Sequence, residues 1–241
     1  MDNSKHICLW SGPRNISTAL MYAFAQREDT RVVDEPLYAH YLSSYPEAQK
    51  YHPGTDDILN SMENDGGKVI ETMLNSNEKP VMFYKHMIHH LLGLQKEFMH
   101  KTINIILTRD PVDMLPSFDK VIPNPQINDV GYKLHMDLLQ FFESNEIPFV
   151  VVDSMQVLIN PEKTLRSICK FANIPFDSKM LQWQPQKRKE DGVWAKYWYG
   201  SVHKSSKFMD YKPKTDPFPE HLRPLLSECE KYYKELLKHA I

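Results

Sequence analysis

Short apolar runs rich in β-branched and aromatic residues alternate along the chain with longer segments of helical period. Strands are predicted at residues 6–10, 30–33, 81–84, 102–108 and 149–152. Helices are predicted at residues 16–27, 67–75, 88–99, 129–144, 161–172 and 220–239. This alternation is typical of βα units on a largely parallel sheet, so it predicts an α/β fold.

Two segments show no clear period. Residues 38–57 are rich in Tyr, Ser and Pro and are long enough to form a loop or lid over a site. Residues 182–219 are also irregular and combine basic, aromatic and Pro residues. No repeat, linker or low-complexity tract divides the chain, so one domain over residues 1–241 is predicted.

Because its positive and negative residues nearly balance, the chain has no strong overall electrostatic field. The chain has 29 Lys and Arg against 31 Asp and Glu, a formal net charge of −2, so neither nucleic acid nor a membrane is an expected partner. Cys8, Cys169 and Cys229 are widely spaced in apolar surroundings, which indicates free thiols in a reducing compartment. Because no secretory signal or membrane-length apolar run is evident, a soluble cytoplasmic protein is expected.

The strongest motif lies between the first predicted strand and helix, at residues 11–18, named here the phosphate loop. It reads Ser-Gly-Pro-Arg-Asn-Ile-Ser-Thr and ends at a helix start. Free helix amides, the hydroxyls of Ser17 and Thr18 and the Arg14 guanidinium make a pocket suited to a tetrahedral anion. Alternatively, Ser17 only caps the helix and Arg14 is a surface charge. The loop lacks the Gly-Lys-Ser/Thr of a Walker motif, which disfavours a metal-dependent nucleotide kinase or hydrolase.

A second candidate anion site follows the strand predicted at residues 102–108. Arg109 lies at the end of this strand, and Asp110-Pro111 is a helix start that places Ser117 two turns further on, facing back. An Arg and a hydroxyl that converge there are suited to a second phosphate. The alternative is that Arg109 only pairs with a neighbouring acid. Pro116 is expected to kink the helix.

A third basic cluster, Arg188-Lys189, precedes a Gly and several aromatic residues. This composition suits a flexible phosphate clamp with an aromatic anchor. The alternative is a solvated basic turn followed by aromatic residues that close the core.

Two acid–base candidates stand where predicted strands end. Glu35 follows the second strand, and Lys85-His86 follows the third. A carboxylate or imidazole there is suited to remove a proton from an acceptor group, and Glu35 is preferred. The structural alternatives are that Glu35 braces the following loop and that His86 is an ordinary histidine at a strand edge. His89 and His90 add a histidine trio, but no acid or Cys accompanies it at ligand spacing, so no metal is expected.

The phosphate loop resembles the 5′-phosphosulfate loop of the sulfotransferase family, Pro-Lys/Arg-Ser-Gly-Thr-Thr. Pro13, Arg14, Ser17 and Thr18 match this pattern, whereas Asn15 and Ile16 replace its Ser-Gly. Arg109 and Ser117 fall on the two binding positions of the family's 3′-phosphate motif, and Arg188-Lys189 resembles its late Arg-Lys-Gly. The run Asp191–Tyr199, with residues 202–205, is similar to a sulfotransferase-like subgroup related to domains linked with branched-chain aminotransferases.

This resemblance implies a three-layer P-loop NTPase-like α/β fold with a short central parallel sheet flanked by helices. It also implies sulfuryl transfer from 3′-phosphoadenosine-5′-phosphosulfate to a hydroxyl or amine of a small-molecule acceptor, without a metal. Glu35 or His86 would be the base, while Arg14, the loop amides and Lys85 would stabilise the leaving phosphate. A nucleotide- or anion-binding protein without catalysis is the remaining alternative. The implied donor contacts are Arg14, Asn15, Ile16, Ser17, Thr18, Arg109, Ser117, Arg188 and Lys189.

Overall fold

A five-stranded parallel sheet forms the centre of the computed structural model, which describes residues 4–241. The strands lie in the order β2-β3-β1-β4-β5, and every neighbouring pair is parallel. The strands are β1 Lys5–Ser11, β2 Thr30–Asp34, β3 Val81–Met87, β4 Ile103–Thr108 and β5 Phe149–Asp153.

Helices connect the strands and cover both faces of the sheet. They are α1 Ser17–Phe24, α2 Tyr38–Ser44, α3 Thr55–Ser61, α4 Gly66–Asn75, α5 Pro111–Asp119, α6 Ile127–Val130, α7 Tyr132–Ser144, α8 Ser154–Ile159, α9 Pro161–Phe171, α10 Ala195–Trp198 and α11 Arg223–Leu237. Short 3₁₀ turns occupy Pro46–Lys50, Ile88–Leu91, Glu97–Lys101, Ser178–Leu181, Val202–Lys204 and Glu220–Leu222.

The alternation of side chains along β1 builds two cores, one on each face of the sheet. Ile7 and Leu9 join a core with residues of α1 and α9. Cys8 and Trp10 join a second core with residues of α4 and α7. Because both faces are covered, the strands are buried throughout and read as apolar runs. The predicted three-layer α/β fold with a parallel sheet is confirmed.

The carboxyl ends of the strands meet along one edge of the sheet. From β1, in the middle, the chain crosses to β2 on one side, whereas β4 lies on the other side. The crevice at such a reversal of strand order is where open α/β sheets bind ligands. The phosphate loop, Glu35 and Arg109 directly follow β1, β2 and β4 and therefore gather at this edge.

Three predicted elements differ from the structure. Residues 38–57 are not a loop, since they contain α2, a 3₁₀ turn and the start of α3, each too short to show a period. The helix predicted at residues 88–99 is two 3₁₀ turns on either side of Gly93, whose φ is 73°. Gly131, with φ of 82°, separates α6 from α7 inside the helix predicted at residues 129–144. Within residues 4–241, no helix has the length and apolar character needed to cross a membrane.

Candidate active site

A cavity of about 780 Å³ opens at the carboxyl edge of the sheet. Two groups of side chains line it. A cationic group consists of residues 12–18 of the phosphate loop, Arg109, Lys207, Lys212 and Lys214. An acidic and aromatic group surrounds Glu35 and includes Lys85, Tyr38, His90, Trp194 and Tyr199.

The phosphate loop turns sharply before α1. Arg14 and Ile16 both adopt left-handed backbone conformations, with φ of 56° and 59°. Asn15 is buried and donates its side-chain N–H to the carbonyl of Leu107 at 2.9 Å, which ties the loop to β4. Because α1 starts at Ser17, directly after Ile16, no described side chain caps its first amides. Ser17 therefore does not act as a cap, and its amide and hydroxyl remain available to a ligand in the cavity.

Ile16 occupies the position at which the family pattern has glycine, and its backbone is left-handed. The family's glycine at this position suits a positive φ, which costs a β-branched residue free energy. In this chain Ile16 keeps the left-handed conformation and packs its side chain against the core below α1. Its side chain thus adds apolar contact while its backbone carries strain.

Three cations meet beside the phosphate loop. Arg109 donates an Nη1–H to the Arg14 carbonyl at 2.7 Å, and Arg14 donates its Nε–H to the Ser117 hydroxyl at 3.1 Å. Burial and the neighbouring Arg109 charge lower the pKa of Arg14. The same two causes lower the pKa of Lys214. Cations that disfavour one another's charge are incompletely compensated, which is the electrostatic condition for binding an anion.

A buried ionic cluster lies at the ends of β2 and β3. The Lys85 ammonium contacts a Glu35 carboxylate oxygen and donates to Asp34 Oδ1 at 3.0 Å and to the Tyr199 hydroxyl at 2.7 Å. Three acceptors use all three N–H groups of Lys85. Lys85 is therefore placed to hold Glu35. The resemblance implied a different role for Lys85, the stabilisation of the leaving phosphate, and no N–H of Lys85 is left over for it.

Burial sets the protonation chemistry of this cluster. Burial raises the pKa of Glu35 more than the neighbouring Lys85 lowers it. Burial alone would lower the pKa of Lys85, but Asp34 and Glu35 outweigh it and raise that pKa. Lys85 consequently stays charged, and Glu35 has a higher proton affinity than an exposed carboxylate.

His86 lies on the other face of the sheet and does not line the cavity. Its ring stacks on Trp10 with centroids 4.3 Å apart, and burial lowers its pKa to about 3. Because neighbouring strand residues point to opposite faces, Lys85 reaches the cavity and His86 enters the core. This position gives His86 no access to an acceptor. Residues 4–241 contain no group of three His, Cys, Asp or Glu side chains arranged to hold a metal ion.

The family pattern described as "Sulfotransferase domain" matches residues 5–240 of this chain. The chain belongs to the sulfotransferase domain family. Over 236 residues it is 38% identical to "Branched-chain-amino-acid aminotransferase-like protein 2" of Arabidopsis thaliana, a match that covers 95% of this chain. The chain spans only 41% of that relative's length.

Solved structures share the fold of this domain at low sequence identity. The sulfotransferase domain from the curacin biosynthetic pathway is 14% identical, with a TM-score of 0.53 over 94% of this chain and 98% of the other. A sulfotransferase from Alicyclobacillus acidocaldarius is 9% identical, with a TM-score of 0.56 over 99% of this chain and 97% of the other. At these identities the comparison shows the fold alone.

The late basic residues that line the cavity differ from those predicted. Arg188 pairs with Glu190 at 3.2 Å, Lys189 is exposed, and neither lines the cavity. Asp191 accepts hydrogen bonds from Tyr22 and from the Arg188 amide, which ties this turn to α1. The cavity is instead lined by three lysines that the sequence motifs do not include, Lys207, Lys212 and Lys214. Their only signal was the spacing of three Lys residues in an irregular segment.

The second half of the cavity is aromatic. Tyr38 stacks on His90 at 4.7 Å and meets Trp194 edge-on at 5.1 Å. Trp194 donates its indole N–H to the Tyr199 hydroxyl at 3.2 Å, which joins the aromatic wall to the ionic cluster. Residues 38–57, predicted to border the site, contribute this wall through α2 and its neighbours.

Proposed function

We propose that this sulfotransferase transfers the sulfuryl group of 3′-phosphoadenosine-5′-phosphosulfate to a hydroxyl or amine of a small-molecule acceptor in the cytoplasm. One observation carries the proposal: a single cavity joins a cationic helix N-terminus to a buried carboxylate held by a lysine. A nucleotide with phosphates at both its 3′ and 5′ positions matches the first feature, and an acceptor that loses a proton matches the second. The three cysteines are buried free thiols, which agrees with a reducing compartment.

Different residues of the cationic group would bind the two phosphates of the donor. The amides of α1, Ser17, Thr18 and Arg14 would hold the 5′-phosphosulfate, since helix N-termini and guanidinium groups both favour anions. Arg109 and Ser117 would hold the 3′-phosphate from the adjoining helix start, with Lys214 beside Arg109.

The chemistry requires one proton transfer and one exchange of bonds at sulfur. Glu35 accepts the proton of the acceptor hydroxyl as that oxygen forms a bond to sulfur. The bond between sulfur and the 5′-phosphate oxygen breaks, and its electron pair remains on the phosphate. Arg14 and the loop amides stabilise this charge, so catalysis rests on positioning and electrostatics. Lys85 and Asp34 keep Glu35 in place.

Thermal unfolding tests the assignment of the nucleotide. Adenosine 3′,5′-bisphosphate should raise the unfolding temperature, because a ligand that binds only the folded state stabilises it by mass action. ATP with magnesium should have a smaller effect at the same concentration. A larger shift with ATP and magnesium than with the bisphosphate would contradict the proposal.

The variant Glu35→Gln tests the base. It should bind adenosine 3′,5′-bisphosphate like the wild type, since Glu35 lies apart from the cationic group, and it should lose sulfuryl transfer. Transfer from radiolabelled donor to a panel of alcohols and amines is the measurement, and Glu47→Gln, at an exposed carboxylate, is the control. Wild-type transfer by Glu35→Gln would place the base elsewhere.

A further inference from the structure

His90 is a buried histidine in the cavity wall that the reaction described above does not use. It lies between two tyrosine rings, stacked on Tyr38 at 4.7 Å and on Tyr41 at 5.2 Å. Its Nδ1 is buried and has no hydrogen-bond partner among residues 4–241. Its Nε2 lies 4.0 Å from Glu35 Oε2, so the ring turns this nitrogen toward the base. The stacking on both faces fixes the plane of the ring.

The environment of the ring determines where its single proton resides. Burial and the neighbouring His89 lower the pKa of His90 well below its ordinary value, so the imidazole is neutral. A neutral imidazole has one N–H donor and one acceptor nitrogen. A proton on Nδ1 would be a buried donor without a partner, whereas a proton on Nε2 points toward the Glu35 carboxylate. The Nε2–H tautomer is therefore favoured.

The separation of 4.0 Å is too long for a direct hydrogen bond between Nε2 and Oε2. An oxygen atom fits between them at about 2.8 Å from each, the ordinary hydrogen-bond distance. A hydroxyl at this point donates its proton to Glu35 and accepts from His90 Nε2–H. These are the two hydrogen bonds that a hydroxyl oxygen makes most readily.

We propose that His90 binds the reacting oxygen of the acceptor and thereby selects hydroxyl acceptors over amines. A neutral amine nitrogen has one lone pair, so a nitrogen that accepts from the Nε2–H has none left to attack sulfur, whereas a hydroxyl oxygen has two lone pairs. A hydroxyl satisfies both His90 and Glu35. This inference rests on the proposed function and narrows its acceptor class from hydroxyl or amine to hydroxyl.

Nitrogen NMR of the ¹⁵N-histidine-labelled protein tests the tautomer without turnover. With adenosine 3′,5′-bisphosphate bound, the signal assigned to His90 through His90→Gln should show a protonated Nε2 and a bare Nδ1. Benzyl alcohol should shift the Nε2 resonance, and benzylamine should not. A protonated Nδ1, or equal shifts with both compounds, would overturn the inference. Bisphosphate binding by calorimetry on the same sample reports separately on the proposed nucleotide site.

Kinetics with matched acceptors test the selection. Wild type should favour the alcohol of each pair, such as benzyl alcohol against benzylamine and cyclohexanol against cyclohexylamine. His90→Phe preserves the stacking and should lower the rate with alcohols about tenfold, the scale of one lost hydrogen bond, with the KM for the donor unchanged. His90→Gln, which retains an N–H donor, should recover part of the loss.

The matched control is His6→Gln, a partly buried histidine that does not line the cavity. It should leave the alcohol-to-amine ratio unchanged. If His90→Phe leaves that ratio equal to the wild-type value, His90 does not select the acceptor. If Glu35→Gln remains active while His90→Phe loses alcohol preference, the assignment of the base fails and the role of His90 stands.

Discussion

Separate replacements of Ile16 by Gly and by Ala measure the backbone strain in the phosphate loop. Ile16 has φ of 59° and ψ of 15°, directly before the first residue of α1. Both replacements remove the side chain that packs partly against the core, so their losses of packing largely cancel in a comparison of the two variants. What remains is the preference of each residue for a left-handed conformation.

The expected difference follows from two opposing terms. A left-handed conformation costs an L-residue such as Ala roughly 1–2 kcal/mol, a cost that Gly avoids. Gly loses about 0.4–1 kcal/mol more than Ala because its unfolded chain is more flexible. The difference leaves Ile16→Gly more stable than Ile16→Ala by about 1 kcal/mol.

Urea unfolding of the two variants measures this difference in the free energy of unfolding, provided that both free energies fall with urea at the same slope. The control pair is Lys68→Gly and Lys68→Ala at an exposed position in α4, where Ala should be the more stable by about 1 kcal/mol. The more stable replacement should thus be Gly at residue 16 and Ala at residue 68. If Ala is the more stable replacement at both positions, the left-handed conformation of residue 16 and the explanation of the family's glycine are refuted.

Two further predictions concern the donor site and acid stability. Arg14→Ala and Arg109→Ala should each weaken adenosine 3′,5′-bisphosphate binding by about 1.5–3 kcal/mol in calorimetry, and exposed Arg166→Ala should not; unchanged affinity in both variants would refute the site. The pKa of His86 falls from 6.5 to about 3 on folding, so its contribution to stability is present above pH 6.5 and is lost as the pH falls below it. Relative to wild type, His86→Phe should therefore lose less unfolding free energy below pH 6.5, by up to about 1.4 kcal/mol per pH unit, whereas exposed His100→Gln should follow wild type. If the unfolding free energy of His86→Phe depends on pH as that of the wild type does, this account is contradicted.

Motifs within one strand–turn–helix unit could be predicted because their geometry is local. The phosphate loop joins β1 to α1, and Asp110-Pro111 starts α5 directly after Arg109. Asp110 accepts from the Val112 amide at 2.8 Å, as expected of a residue that starts a helix. The contact of Arg109 with the phosphate loop depends only on two parallel strands ending at the same edge.

Residues that enter the cavity from distant segments could not be predicted in the same way. The turn that contains Arg188 is held through Asp191, which accepts a hydrogen bond from Tyr22 at a sequence separation of 169. Whether Lys85 or His86 enters the cavity depends on which face of β3 points toward it. The sequence alone leaves that face open, because both sides of the sheet are buried.

The sequence by itself determined the α/β fold, the family and the cationic loop, since each rests on periodicity or on a short motif with its own backbone geometry. Only the tertiary structure decided that Lys85 forms an ion pair with Glu35, that His86 lies in the core and that His90 faces Glu35. These placements depend on contacts between strands and helices far apart in the chain. Such contacts form only when the sheet brings their ends together.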